Sequence, residues 1–435
     1  MNGPRLLLLA ALATARLGAQ GATGGGARPI SLDEAVRLAQ RNAPAAVQAR
    51  GQLEASDAAI RSVYGSLLPS LSLSYGSNRQ GGETFFQGQL VPFRGDPWNF
   101  SRGVFSSLEL FDGGRRLFQL RSARANRTAA ETNERLQRYR VALDVKQQYY
   151  NVLAARESRA AAQAQLAQSE EQLKAATARV RAGAATVSDS LRSVIQVGNA
   201  RLAVLTAENA LRVANANLTR LAGTPDEVTA EEPADGGIPT VALDSAALAR
   251  LVDDAPAVVQ GRSELAAAGA SLRASRTPYL PSLTVSYNLS GTRTDKTFAP
   301  TGTFAGANAL RFALAYPVFN GFAREENVTR AAVAERNAEA QLRDARLGVA
   351  QQLVQFTGAL RLAQERATIQ QASVAAAQED LRVQNQRYAL GASTLLDVLT
   401  SQSQLNSARL ALIQARYDAR VAKAQVEALV GRDLP

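Results

Sequence analysis

Arg387-Tyr388-Ala389-Leu390-Gly391-Ala392-Ser393-Thr394-Leu395-Leu396-Asp397 interrupts a long helical pattern, and Arg181-Ala182-Gly183-Ala184-Ala185-Thr186-Val187-Ser188-Asp189 interrupts another in the same way. Aligned on their glycines, the stretches lie 391 − 183 = 208 residues apart in a chain of 435. Leu68-Pro69-Ser70-Leu71-Ser72-Leu73-Ser74-Tyr75 likewise returns as Leu280-Pro281-Ser282-Leu283-Thr284-Val285-Ser286-Tyr287. The chain therefore reads as one supersecondary unit used twice. Its function should come from how the copies assemble rather than from a single enzymatic pocket.

Upstream of each glycine lies a proline-free helical stretch, about Arg115 to Val180 and Ala323 to Tyr388. At about 1.5 Å per residue each reaches nearly 100 Å, too long for a globular core. Downstream, Val197, Ala200, Val204, Ala207, Leu211, Ala214, Leu218 and Leu221 step alternately by three and four. Leu405, Ala408, Leu412, Ala415, Ala419, Ala422, Val426 and Leu429 do the same. A sustained heptad seam predicts antiparallel helical hairpins turned at Gly183 and Gly391.

Before each hairpin the period changes to two. Leu71, Leu73 and Tyr75 alternate with Ser72, Ser74 and Gly76, and Leu283, Val285 and Tyr287 with Thr284, Ser286 and Asn288. Such strands have one apolar and one polar face. A second strand in each copy ends at Phe111-Asp112-Gly113 and Phe319-Asn320-Gly321, both sharp turn signals. The lengths suit membrane-spanning strands of about 10 residues, with Trp98, Phe100, Phe105, Phe304 and Phe312 as a candidate aromatic girdle. An opening helix precedes the strands, from Ser31 to about Tyr64 with a Ser31/Glu34 capping box, and from about Ser245 to Ser275.

The expected organisation is a signal peptide at 1–19, a flexible start at 20–30, a first copy at 31–222, a linker at 223–240 and a second copy at 241–435. Arg5 followed by the apolar run Leu6 to Ala13 carries the signal reading; that run is too short to span a bilayer as a helix. No cysteine is available for a lipid anchor, so membrane insertion should use strands.

Composition removes several chemistries. Without histidine or cysteine there is no Cys/His zinc site, no Ser-His-Asp triad and no thiolate nucleophile, and no metal or cofactor is expected. The net charge of +11 is spread as single arginines among acidic residues, which reads as solvated helix faces rather than a nucleic-acid surface. Two strand pairs are too few to close a barrel, and open edges cannot sit in lipid. Several chains must pool their strands, with the helical hairpins forming a hollow palisade beneath.

The chain resembles the TolC-type outer-membrane efflux factors over essentially the whole mature sequence. The duplicated Leu-Pro-Ser-Leu motifs, the Phe-Asp-Gly and Phe-Asn-Gly turns and the two tip motifs carry the resemblance. It implies a mainly helical protein with membrane β-structure: a homotrimer whose twelve-stranded β-barrel in the outer-membrane lipid continues into a long α-helical barrel across the periplasm. It also implies two partners, a periplasmic adaptor protein and an inner-membrane transporter of the resistance-nodulation-division or ABC type. It further implies that the tunnel conducts passively and catalyses nothing.

The resemblance further assigns adaptor docking to the tips at Ala182, Gly183, Ala184, Leu390, Gly391 and Ala392. It places an acidic ring at the periplasmic entrance on Asp397, a residue whose position also suits a helix N-terminus. A closure contact is implied between Asp189 and Tyr388. Two positions depart from the family pattern: Ser393 stands where an arginine is expected and Thr400 where a second acidic residue is expected. The alternatives are an exported coiled-coil adaptor, a structural envelope protein and a repeat-built hydrolase. The strand pairs between the helices count against the first two, and the lack of any pocket signal around Asp189 and Asp397 counts against the third.

Overall fold

The computed structural model describes residues 27–86, 88–92, 95–232, 237, 251–432 and 434. The signal at 1–19, the start at 20–26, Ser245 and most of the linker beyond 232 lie outside the described residues.

The chain opens with β1 (Arg28–Ile30), α1 (Leu32–Asn42) and α2 (Pro44–Gly65). The opening helix is thus two helices rather than one. Pro44 lacks the N–H that a continuous helix needs and drives Ala43 to ψ 133. Only half of the expected capping box forms. Glu34 N donates to Ser31 Oγ at 3.3 Å, while the Glu34 carboxylate turns away to Arg28 at 2.7 Å.

Strand β2 (Ser70–Arg79), a small hairpin of β3 (Glu83–Phe86) and β4 (Gln89–Pro92), and β5 (Trp98–Phe111) follow. Next come α3 (Arg115–Arg181), α4 (Val187–Ala222) and β6 (Val228–Ala230). Then α5 (Pro256–Ser275), β7 (Ser282–Asp295), β8 (Ala305–Ala315), α6 (Ala323–Ala389) and α7 (Leu395–Val430) complete the chain. The two long helices have 67 residues each and the two returning helices 36 each. The loop between β2 and β5 therefore carries a hairpin of its own.

Strands β2, β5, β7 and β8 form one antiparallel sheet in the order β2-β5-β7-β8, with β2 and β8 as its edges. Directly paired residues share a face, so the register sorts the side chains. Leu71, Leu73 and Tyr75 fall on the same face as Val104, Val285, Leu289, Leu310 and Phe312. The opposite face carries Ser70, Ser72, Ser74, Ser286, Asn288 and Ser290. The apolar face is uncovered: Leu73 is 77% exposed and Phe312 64%.

This register also corrects the aromatic girdle. Trp98, Phe100 and Phe312 share the apolar face, but Phe105 pairs with Ser72 and Asn288 on the polar one. Up to the bulge at Glu109, alternation puts odd- and even-numbered residues of β5 on opposite sides. Phe100 is buried among Trp98 and Phe298, and Phe304 lies under the Arg102 guanidinium at 4.4 Å.

The helices pack side by side in the order α4-α3-α7-α6. Every seam residue named above is buried or half-buried. The largest core lies about midway along α3, where Val145, Tyr149, Val152 and Leu153 meet Leu218, Ile413 and Tyr417. Here β1 pairs in parallel with β6, so Arg28–Ile30 and the start of the linker are ordered against each other rather than free. Tyr149 Oη donates toward the carbonyls of Ile30 (3.1 Å) and Glu231 (2.7 Å), and Arg156 reaches the Ala230 carbonyl at 3.0 Å. Burial pushes the Tyr149 hydroxyl up to about 12 and also raises Tyr417. Across this belt Lys146 meets Glu427 at 2.7 Å, and Tyr417 Oη donates to Glu157 at 2.6 Å.

Candidate functional site

The two hairpin tips have the same backbone construction. Gly183 and Gly391 both sit at φ 73, in the left-handed region that glycine enters without steric penalty. A Cβ at either position meets nothing within 4 Å, so conformation and not crowding demands glycine. Around each glycine the last helical turn closes in a Schellman motif. Gly183 N donates to Val180 O (3.0 Å) and Ala184 N to Arg179 O (2.9 Å); Gly391 N donates to Tyr388 O (3.1 Å) and Ala392 N to Arg387 O (2.8 Å).

Each returning helix starts with a complete capping box. Thr186 N and Oγ1 donate to Asp189 Oδ2 at 3.1 and 2.9 Å, and Asp189 N returns a bond to Thr186 Oγ1 at 3.3 Å. Thr394 and Asp397 repeat the set at 2.8, 2.8 and 3.3 Å. The Thr394 backbone N–H and hydroxyl hold the Asp397 carboxyl below its usual range, so it is ionised at neutral pH. Asp397 is exposed and Asp189 half-buried.

All six tip residues read as docking positions are exposed, Leu390 to 84%. The Asp189–Tyr388 contact does not form within this chain, because the Asp189 carboxylate is turned back onto Thr186. Tyr388 instead lies under Arg179, whose guanidinium carbon is 4.6 Å from the ring centroid. This contact joins the end of α3 to the end of α6 and was not foreseen from sequence. Its only signal was a basic residue in the last turn of α3. At the two departures, Ser393 Oγ donates to the Gln384 carbonyl (3.3 Å) and Thr400 Oγ1 to the Leu396 carbonyl (2.8 Å). Both side chains are thus spent on their own hairpin.

The strand-to-helix turns also correspond. Asp112 accepts from Gly114 N at 3.1 Å and pairs with Arg116 at 2.7 Å. In the second copy Arg324 instead reaches the carbonyls of Pro317 and Val318. Phe322, at φ 63, takes the left-handed slot that Gly114 fills 322 − 114 = 208 residues earlier. Among the described residues no helix is long and apolar enough to cross a membrane.

A sheet with one uncovered apolar face, continuous with two helical hairpins on the order of 100 Å long, is an architecture seen in known proteins. The outer membrane efflux protein profile matches residues 35–224 and again 247–432. The chain belongs to the outer membrane efflux protein family. Over 392 residues it is 28% identical to Protein CyaE of Bordetella pertussis, covering 87% of this chain and 79% of that protein. It is also 28% identical over 381 residues to the pyoverdine export outer membrane protein OpmQ of Pseudomonas aeruginosa, covering 84% and 76%.

Among solved structures, CusC superposes with a TM-score of 0.77 at 18% identity over 95% of this chain and 96% of that one. The Campylobacter jejuni CmeC outer membrane channel gives 0.75 at 18% identity over 92% and 85%. These likenesses establish the fold. As a member of this efflux family the protein is an outer-membrane channel of the Gram-negative envelope that reaches into the periplasm and serves efflux or secretion. Family and fold are those of channel proteins rather than enzymes.

Proposed function

We propose that this efflux-family protein works as a homotrimeric, passive conduit in which three chains contribute four strands each to a closed twelve-stranded barrel. The observation that carries this reading is the matched pair of open edges. In the sheet, β2 and β8 are unpaired on their outer sides while their apolar faces are exposed. In the helical layer, the outermost helices α4 and α6 expose Leu191, Ile195 and Leu202, and Leu347, Val354 and Leu362. An open sheet edge cannot remain in lipid, and apolar helix faces of this extent call for a covering partner. A neighbour's β2 against β8, and its α4 against α6, would cover both at once.

The internal duplication supports the same assembly. Two copies of strand pair and helical hairpin, at 31–222 and 241–435 with the linker at 223–240, make each chain a third of the ring. At the periplasmic end, three Asp397 carboxylates form a cation-attracting ring. Ala182, Gly183, Ala184, Leu390, Gly391 and Ala392 present small or exposed apolar groups to the adaptor's helical hairpin, and the inner-membrane transporter supplies the energy. Asp189 and Tyr388 belong to the closure contacts, either across a chain boundary or after the Thr186 box opens.

Detergent-purified protein should migrate as a trimer by light scattering, convert to monomer on heating, and form channels in planar bilayers. A stable monomer that forms no channels would overturn the reading.

A further inference from the structure

The polar face of the sheet is almost free of charge. From the loop down to the bulge at Glu109 it presents serine, threonine, asparagine, glycine and alanine, together with Phe105 and Arg311. Arg311 lies opposite Ser286, which in turn lies opposite Ser107, so its place on this face is fixed by two pairings. Glu109, at the bulge, is held by Arg115 at 2.5 Å. Arg311 is exposed, and among the described residues it has no carboxylate partner. It sits near the middle of β8 (Ala305–Ala315), between Leu310 and Phe312 of the exposed apolar face. A charge kept unpaired at that depth cannot face hydrocarbon without large cost, and the alternation places it on the side away from lipid.

We propose that Arg311 forms an anion-attracting constriction in the lumen of the β-barrel, and that it favours passage of anionic solutes, such as carboxylates and phosphates, through the outer-membrane end of the channel. The inference rests on the trimeric barrel above, which brings three copies of Arg311 around one axis. Guanidinium groups projecting into a narrow aqueous lumen with low-dielectric walls act on ions together, because the walls focus their field. The hydroxyl-rich surroundings supply no competing negative charge. The channel then carries opposite fixed charges at its two ends, Asp397 at the periplasmic entrance and Arg311 in the membrane barrel.

The test uses the purified full-length trimer in neutral-lipid planar bilayers under a potassium chloride gradient, with the reversal potential read as the chloride-to-potassium permeability ratio. Arg311→Gln should lower that ratio by on the order of threefold, and Arg311→Glu should lower it further. Ser286→Glu, which puts a carboxylate directly opposite Arg311 and leaves the arginine in place, should lower it as well. Asp397→Asn should move the ratio the other way. An unchanged ratio in both Arg311 variants and in Ser286→Glu overturns the inference while leaving the conduit intact. Wild-type protein that forms no channels instead overturns the trimeric reading on which the inference rests.

Discussion

Arg179 lies over the ring of Tyr388, 4.6 Å from its centroid, and ties the tip of the first hairpin to that of the second. Both residues are half-buried, and a cation over an aromatic face contributes about 0.5–1 kcal/mol even where fully exposed. Arg179→Ala and Tyr388→Ala should therefore both raise single-channel conductance or open probability. Tyr388→Phe keeps the ring and should change little on this account. If the phenolic hydroxyl is instead the essential group, through Asp189, then Tyr388→Phe alone should open the channel as far as Tyr388→Ala. Conductance histograms of the three variants separate the two arrangements.

The Asp397 carboxylate completes the α7 cap, and in the proposed trimeric conduit it also supplies charge at the entrance. Asp397→Ala should weaken block by multivalent cations. Thr394→Ala keeps the charge but removes the cap, at a cost of about 1 kcal/mol. Block should survive in that variant while the tip loosens, read as faster proteolysis near Gly391. Because the Asp397 carboxyl is held below the ordinary aspartate value of 3.8 by the Thr394 N–H and hydroxyl, the ionised form is favoured by folding. Its contribution is present above about pH 4 and is lost as pH falls through the lowered value.

Tyr149 and Tyr417 have raised hydroxyl values, caused first by burial. A raised folded value means that their contribution is complete below the ordinary tyrosine value of 10.0 and is lost as pH rises through the folded value, about 12 for Tyr149. Tyrosinate absorbance should show these two titrating last, together with loss of helical circular dichroism. Tyr149→Phe should bring helix loss to lower pH, because the carbonyls of Ile30 and Glu231 lose their donor.

Gly113 and Gly321 occupy corresponding turns with the same φ of 66, but only Gly113 is crowded. A Cβ on Gly113 would stand 2.6 Å from Leu280 Cβ and 3.0 Å from the Thr277 carbonyl; one on Gly321 meets nothing within 4 Å. Gly321→Ala should cost roughly 1–2 kcal/mol from the left-handed backbone alone. Gly113→Ala should cost more, read as a lower temperature for heat-induced trimer dissociation. Equal shifts would show that the α5 end moves aside freely.

The two long helices were legible to within a residue or so because their signals are local and repeated. The opening helix of the second copy, expected from about Ser245, starts only at Pro256, after Ala255 leaves the helical region at ψ 139. Val197 to Leu221 and Leu405 to Leu429 spell out a seam, and Gly183 and Gly391 mark its reversals. The break at Pro44 is equally local, since the proline itself ends the first helix and opens the next. By contrast, β1 and β6 are three residues each and gain their order from one another and from Tyr149, far away in sequence. No window of sequence contains that information.

By itself, then, the sequence determined the periodic elements, their doubling and the acidic residue at each tip, since helix period, strand alternation and caps are set by neighbours along the chain. Only the tertiary structure decided which strand lies beside which, and with it the faces of Phe105 and Arg311. It also decided that Tyr388 meets Arg179 rather than Asp189. Those outcomes depend on register and on side chains brought together across some 200 residues, where a shift of one residue in a strand reverses every face.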